Sequence, residues 1–130
     1  ATLENYISKE LSFQAYLLSN RTSQFGVWMG SSGLWTGWGS ADTALPTLTD
    51  WVHYAFTYDN ATRRANTYVN GALAHSVQEP SASAVVRTSN QPMFIGRNGS
   101  ANVYHVKGQV DDVRLYNRAL TADEVKVLAR

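Results

Sequence analysis

Residues 106–125 read VKGQVDDVRLYNRALTADEV, and their pattern changes in the middle. The first half is rich in β-branched and aromatic residues, which favours a strand, and the adjacent Asp111 and Asp112 interrupt its alternation as a bulge or strand rim does. The second half is helical in character, because Thr121 followed three residues later by Glu124 is a capping-box pattern. The stretch therefore predicts a last strand at residues 108–116 and a short C-terminal helix at residues 122–129.

The rest of the chain alternates short β-type runs with clusters of Gly, Asn, Ser and Asp, and no helical period appears before the end. Asn70-Gly71 predicts a two-residue type I′ turn, because both central positions of that turn need a positive φ. This organisation predicts an all-β fold, with strands at residues 3–8, 12–19, 24–30, 51–58, 65–69, 73–77 and 93–96.

Residues 108–120 resemble the ending of the laminin-G-like, concanavalin A-like lectin/glucanase domains found as modules in secreted, often bacterial, proteins. Three further stretches agree with that family in order and spacing: WVHYAFTYD at 51–59, YVNG at 68–71 and PMFIGR at 92–97. The resemblance implies an antiparallel two-sheet jelly-roll sandwich with a short C-terminal helix. It also implies a secreted or cell-surface location and a carbohydrate or protein ligand, without naming that ligand.

The composition sets limits on domain number and partners. The 130 residues are enough for one domain, residues 1–130, with one core. Eleven basic and ten acidic residues leave a formal net charge of +1 without a basic run, so nucleic acid is not expected as a partner. No apolar run approaches membrane-spanning length, the first residues lack a signal-peptide pattern, and the absence of cysteine excludes disulfides and thiolate metal sites.

An aromatic set offers candidate ligand contacts. Sugar rings present apolar C–H faces that stack on indole and phenol rings, while neighbouring amides fix the hydroxyl groups. Large aromatic side chains also fill the interior of a sandwich, so a purely structural role is the competing interpretation. The candidate ligand-binding residues are Tyr16, Trp28, Trp35 and Trp38.

Acidic residues suggest a possible calcium site. Asp111 and Asp112 match an acidic pair of the family, in which a carboxylate near this rim can help to hold calcium, and Asp59 with Asn60 forms a second oxygen-rich turn. Calcium takes about six or more oxygen ligands, and no compact loop in the sequence supplies them. The competing interpretation for Asp112 is an ion pair with Arg114 or a cap on nearby N–H groups.

Catalysis is not expected from this sequence. Glycoside cleavage needs two carboxylates at a fixed separation, and adjacent residues such as Asp111 and Asp112 point to opposite faces of a regular strand. The first hypothesis is therefore a non-catalytic, lectin-like carbohydrate-binding module. The alternative is a protein-interaction or self-assembly module with the same fold and no sugar site.

The family resemblance also implies strands before the segment that residues 6–9 match, so the chain is expected to be short at its N-terminus relative to the family. The last strand would then present unpaired backbone groups beside apolar residues, and such an edge is rarely left bare. We expect a second copy to cover it, giving a homo-oligomer through the last strand and the N-terminal segment. The alternative is a monomer in which residues 1–8 fold back as the missing strand.

Overall fold

The computed structural model describes residues 3–28, 35–36, 43–44, 46–47, 49–78, 86–99 and 102–130. In this part of the chain no helix combines the length and the apolar character needed to cross a lipid bilayer. These residues form two antiparallel sheets and one short helix. The strands are β1 (Glu4–Lys9), β2 (Phe13–Leu17), β3 (Thr22–Trp28), β4 (Trp35–Thr36), β5 (Thr43–Ala44), β6 (Tyr54–Asp59), β7 (Arg64–Val69), β8 (Ala72–Gln78) and β9 (Met93–Ile95), and the helix is α1 (Ala122–Leu128).

The larger sheet has the strand order β4-β3-β2-β1-β9, and β5 also pairs with β3. Its register places Ala15 of β2 between Ile7 of β1 and Phe25 of β3. Side chains directly opposite one another point to the same face, so these three lie on the face turned toward the smaller sheet. Gln14 and Tyr16 lie on the opposite face, because successive side chains of a strand alternate.

The smaller sheet has the order β6-β7-β8. The turn between β7 and β8 contains Asn70 at φ 49° and Gly71 at φ 81°, and both positive values are what a type I′ turn requires. Asn70 is held further by His53, whose N–H donates to Asn70 Oδ1 at 2.9 Å and whose carbonyl accepts from the Asn70 N–H at 2.8 Å. The two-residue turn predicted from Asn-Gly is confirmed.

The two sheets pack face to face through aromatic side chains. Phe25 of the larger sheet stacks on Phe56 of the smaller sheet at 5.1 Å between ring centroids, and Tyr6 lies 6.1 Å from Tyr54 across the same interface. Val27, which is 2% exposed, belongs to the buried core beside them. Removal of these apolar surfaces from water holds the layers together. The predicted all-β, two-sheet sandwich with a short C-terminal helix is confirmed.

Helix α1 begins at the predicted capping box. Thr121 Oγ1 accepts a hydrogen bond from the Glu124 N–H at 3.3 Å, and the Glu124 carboxylate accepts one from the Thr121 N–H at 2.8 Å. Val125 is fully buried and anchors the helix. The helix lies against the β7–β8 turn, because a Cβ atom placed on Gly71 would be 3.1 Å from Ala129 Cβ.

Residues 108–116 form no strand, which corrects the prediction made from their apolar content. Among the described residues no strand lies beside them, and β1 pairs with β2 and β9 instead. Asp112 has a φ of 51°, outside the range of strands, and its N–H donates to Asp111 Oδ1 at 2.7 Å. Strand structure needs a neighbour that pairs the backbone groups, and without one a local Asp-based turn replaces it. Residues 4–9 therefore do not act as the fold-back partner of this segment.

The 106–118 segment leaves apolar side chains at the surface. The exposed fractions are 41% for Val110, 44% for Val113, 63% for Leu115 and 44% for Tyr116. Together with the inner faces of both sheets, this segment lines a cavity of about 1220 Å³, which we call the intersheet cleft. The interior of the sandwich is thus incompletely filled on the side where the 106–118 segment lies.

Candidate functional site

The face of the larger sheet that points away from the smaller one carries polar side chains on three neighbouring strands. In register, Asn5 lies opposite Tyr16 and Tyr16 opposite Gln24, while Ser8 lies opposite Gln14. Asn is depleted in strands, so its fully buried position among aligned amide side chains points to a specific arrangement. We call this set the polar face: Asn5, Ser8, Gln14, Tyr16 and Gln24.

A chain of hydrogen bonds runs along the polar face. Asn5 Nδ2 donates to Gln14 Oε1 at 3.3 Å, and Gln14 Nε2 donates to Glu10 Oε1 at 2.8 Å. The Ser8 hydroxyl donates to the same Glu10 oxygen at 3.5 Å. Asn5 and Ser8 are completely buried and Gln14 is 9% exposed. Gln14 and Ser8 thus donate directly to the Glu10 carboxylate, and Asn5 joins the network through Gln14. Such networks fix side-chain positions within a low-dielectric environment.

One atom of this network lacks a partner. Asn5 Oδ1 is buried and accepts no hydrogen bond from any described residue. An unsatisfied buried acceptor costs about 1–3 kcal/mol relative to one that is paired.

Glu10 also lines a cavity of about 340 Å³ at the end of the polar face, which we call the Glu10 cavity. Phe94, which lies opposite Ser8 in register, forms part of its wall. The Phe94 ring is held on one side by the Arg97 guanidinium, 3.9 Å from the ring centroid. A Cβ atom on Gly99 would lie 2.8 Å from Phe94 Cδ2, so glycine permits the close approach at this wall. The cavity combines a carboxylate with an aromatic surface.

Two of the predicted aromatic contacts, Tyr16 and Trp28, lie on the same face of the sheet as Gln14. Tyr16 is partly buried, so part of its ring is open to solvent. Trp28 is 8% exposed, and its backbone N–H donates to the Ser12 carbonyl at 2.7 Å. Most of the Trp28 indole surface therefore packs inside the protein, while Tyr16 retains a surface for stacking.

The other two predicted aromatic contacts lie farther along the chain. Trp35 is in β4, where its backbone pairs with that of Trp28 at the edge of the larger sheet. Trp38 lies outside the described residues. Trp35 and Thr36 together form this two-residue strand.

The carboxylates considered for calcium are held by their own neighbours. Asp59 Oδ1 accepts from the Ala61 N–H at 2.8 Å, which lowers the pKa of that carboxyl below its usual value. Asp111 accepts from the Asp112 N–H, and Asp112 forms a two-pronged pair with Arg114 at 2.9 Å for each bond. Within the described ranges no group of three or more His, Cys, Asp or Glu side chains is arranged to hold a metal ion.

The sequence analysis did not single out Asn5, Ser8, Glu10 or Gln14 as site residues. The signal that could have pointed to them is the presence of Asn, Gln and Ser inside predicted strands, because Asn and Ser are more usual in turns. Alternation alone makes such residues look like an ordinary solvent-facing side. Their burial depends on contacts from distant parts of the chain, which a local pattern does not contain.

The intersheet cleft is the second concave region. Its walls include Tyr6, Tyr54 and Phe56, and the Tyr54 and Phe56 ring centroids are 5.2 Å apart. Burial raises the pKa of the Tyr6 and Tyr54 hydroxyls above the usual value for tyrosine. Trp51 lies at the edge of this cleft and is 64% exposed, so it contributes little to the core. The cleft is suited to apolar groups more than to charged ones.

Comparison with known proteins identifies a family. The profile described as "Concanavalin A-like lectin/glucanases superfamily" matches residues 3–126. No curated protein sequence matches the chain. Among solved structures, residues 221–444 of an S-layer domain-containing protein from Clostridium thermocellum are 21% identical to it, with a TM-score of 0.44. That match covers 94% of this chain, which spans 58% of the Clostridium chain.

Proposed function

The chain belongs to the concanavalin A-like lectin/glucanase superfamily, and from that premise we propose that it is a non-catalytic, lectin-like carbohydrate-binding module. The polar face and the Glu10 cavity form its binding site in this proposal. The observation that carries the proposal is the buried hydrogen-bond chain from Asn5 through Gln14 to Glu10.

The chemistry of this chain matches a ligand rich in hydroxyl groups. Each sugar hydroxyl both donates and accepts, so it can add a hydrogen bond to the Glu10 carboxylate at the end of the chain. Alternate residues of a strand lie about 7 Å apart, which brings the Tyr16 ring and the Gln14 amide within reach of one saccharide. The formal net charge of +1 favours a neutral ligand over a strongly charged one.

The proposal excludes glycoside cleavage as the role of this site. Within the described residues, Glu10 supplies the carboxylate of the polar face and the Glu10 cavity. Cleavage by the usual mechanism requires a second carboxylate as nucleophile or base. A site with one carboxylate in an amide network is suited to holding a sugar and not to breaking its glycosidic bond.

The test is a fluorescence titration against a panel of polysaccharides and oligosaccharides. The Trp51→Phe variant is used throughout, because exposed Trp51 would report nonspecific contact, and the remaining indoles are Trp28, Trp35 and Trp38. At least one neutral glycan should change the emission in a saturable way. A panel without any saturable response would contradict the proposal.

The matched variants are Tyr16→Ala and Tyr116→Ala in the same background. Loss of ring stacking should lower the glycan affinity of the Tyr16→Ala variant roughly three- to tenfold. Tyr116 is a half-exposed tyrosine of the 106–118 segment, away from the polar face, so its removal should leave glycan affinity unchanged. Equal losses in the two variants would contradict the assignment of the site to the polar face.

We place this module outside the cell or at the cell surface, as its family suggests. Fractionation of cells that express the native gene would test it, and recovery of the chain in the cytoplasm alone would contradict it.

A second candidate function is a protein-interaction or self-assembly module. The observation that favours it is the exposed apolar content of the 106–118 segment beside the open intersheet cleft. Contiguous apolar surface of this kind marks interaction sites more often than isolated exposed residues do.

A further inference from the structure

We propose that residues 108–118 pair in antiparallel register with the same residues of a second copy of this chain, about a two-fold axis that passes through Val113. The inference rests on the second candidate function and names its partner. It does not depend on sugar binding. Its starting point is a segment of strand-like composition that has no strand partner among the described residues.

The backbone of this segment is available for pairing. No described strand lies beside residues 108–116, and the side chains of Val110, Val113 and Leu115 are all at least 41% exposed. Unpaired strand-like backbone next to apolar side chains is a template for another strand. A second copy supplies a strand of identical composition, and pairing about a two-fold axis gives a self-complementary contact between two copies.

The sequence of the segment is complementary to itself when the two-fold axis passes through Val113. With Val113 opposite Val113 of the second copy, Asp112 lies opposite Arg114 of that copy, and Arg114 lies opposite its Asp112. The same register places Val110 opposite Tyr116, an aliphatic residue against an aromatic one. Cross-strand pairs of opposite charge and pairs of aromatic with β-branched residues both stabilise antiparallel sheets.

The charges set the register and the apolar residues supply the attraction. Within one copy Asp112 already pairs with Arg114, and both side chains are well exposed, at 66% and 47%. In the dimer, the two internal pairs, one from each copy, are exchanged for two pairs between copies. This exchange changes the free energy little, because exposed ion pairs contribute little. Burial of Val110, Val113 and Tyr116 is what favours association. A shift of one strand by two residues would place Asp112 opposite Asp112, or Arg114 opposite Arg114, and is therefore disfavoured.

Pairing also changes the backbone of Asp112. This residue has a φ of 51°, which a side chain other than glycine adopts only at a cost. In the paired strand it becomes extended, and its N–H exchanges the Asp111 carboxylate for a partner in the opposite strand. A pair of short strands buries less area than typical stable interfaces, so we expect a weak dimer that is populated at high micromolar concentration.

The experiment uses two charge variants of the whole chain, Asp112→Arg and Arg114→Asp, and size exclusion with light scattering. Alone, each variant places like charges opposite one another at both positions and should dimerise at least roughly tenfold more weakly than the wild type. In an equimolar mixture, however, a heterodimer of the two variants has one Arg opposite one Asp at both of its 112–114 pairs. The mixture should therefore regain dimers although the internal Asp112–Arg114 pair stays broken in both variants.

Lysine substitutions test the register itself. Val113→Lys brings two lysines together at the axis and should abolish dimers, whereas Leu115→Lys faces Asp111 of the second copy and should keep them. Val127→Lys, at a helix position that is 59% exposed, serves as the control that leaves dimers unchanged. Thermal melts of all variants establish that each one is folded.

The possible outcomes distinguish the proposed strand pairing from self-assembly in general. A monomeric wild type at high micromolar concentration would overturn both self-assembly and the strand pairing. A wild-type dimer that survives Asp112→Arg and Val113→Lys would overturn the pairing while leaving self-assembly through another surface. Weakened single variants whose mixture stays monomeric would also overturn the register.

Discussion

Gly71 is the residue with the strictest backbone requirement in the described structure. Its φ of 81° lies in the left-handed region, and a Cβ atom there would be 3.1 Å from Ala129 Cβ and 3.2 Å from the Lys126 Cα. The positive φ is required by the β7–β8 turn. The lack of space for a side chain comes from helix α1 and the residue after it, which pack over the turn. Any side chain at this position disturbs both elements at once.

The corresponding prediction concerns Gly71→Val. A β-branched residue resists positive φ and would collide with the helix, so the free energy of unfolding should fall by about 2 kcal/mol or more. Urea denaturation measures this loss. The control is Ala72→Val, because Ala72 is an exposed position in β8 where a β-branched residue is acceptable. Equal stability of the Gly71 variant and the wild type would show that the turn is misplaced.

At the residue scale, local chemistry was predictable from the sequence. Asn70-Gly71 and the Thr121/Glu124 pair each carry their structural requirement within a few residues, and both are confirmed. The burial of Asn5 and of Trp28 was not predictable, because it is produced by chain segments far away in sequence. A period-2 pattern assigns a residue to a face of a sheet without saying what covers that face.

At the scale of the element, helix α1 depends on a charged cap. Arg118 holds the Glu124 carboxylate with two hydrogen bonds of 2.7 and 2.8 Å, and the Thr121 N–H donates to the same group. The Arg118 guanidinium, followed by the Thr121 N–H, lowers the pKa of Glu124 from its usual 4.5 to about 2. The cap therefore favours the ionised carboxylate.

The sign of the pH effect follows from this lowered pKa. A carboxyl group whose pKa is lower in the folded state stabilises the fold fully above its unfolded pKa, and this contribution is lost as the pH falls from about 4.5 through about 2. Because the pair is exposed, the effect should be small. We expect Glu124→Gln to be less stable than the wild type at neutral pH, with the gap closing in acid. Thermal melts at several pH values measure the gap, and a constant gap would contradict this role of the cap.

Residues 108–116, which were predicted to form the last strand, show where a sequence pattern is no longer sufficient to predict a secondary-structure element. Their composition favoured β structure, yet residues 108–116 form no strand, and no strand among the described residues lies beside them. A helix such as α1 satisfies its backbone groups internally, while a strand depends on a second segment for them. The helix was therefore predictable from its own residues, and the strand required knowledge of its neighbour.

At the scale of the whole molecule, contacts between aromatic rings help to hold the two sheets together. Phe56 stacks on Phe25 across the interface at 5.1 Å and lies against Tyr54 at 5.2 Å. Phe56→Ala should lower the free energy of unfolding by about 2–3 kcal/mol, below the range for a fully buried ring because this one is partly exposed to the cleft. Urea denaturation gives the value.

The control for Phe56 is Leu73→Ala, since Leu73 is a strand residue that is 56% exposed. Its removal should change the stability by no more than about 0.5 kcal/mol. A comparable loss in both variants would mean that the aromatic interface between the sheets is not what stabilises the sandwich.

The polar face as a sugar site is tested most directly by NMR of the side-chain amide groups during titration with a glycan that passes the fluorescence panel. The resonances of Asn5 and Gln14 should move along saturable curves with one shared dissociation constant, because these amides belong to one hydrogen-bond chain. The backbone amide resonances of Val113 and Leu115 in the 106–118 segment, recorded in the same spectra, should stay unchanged. Saturable binding that moves the cleft residues and leaves Asn5 and Gln14 in place would contradict the proposed site.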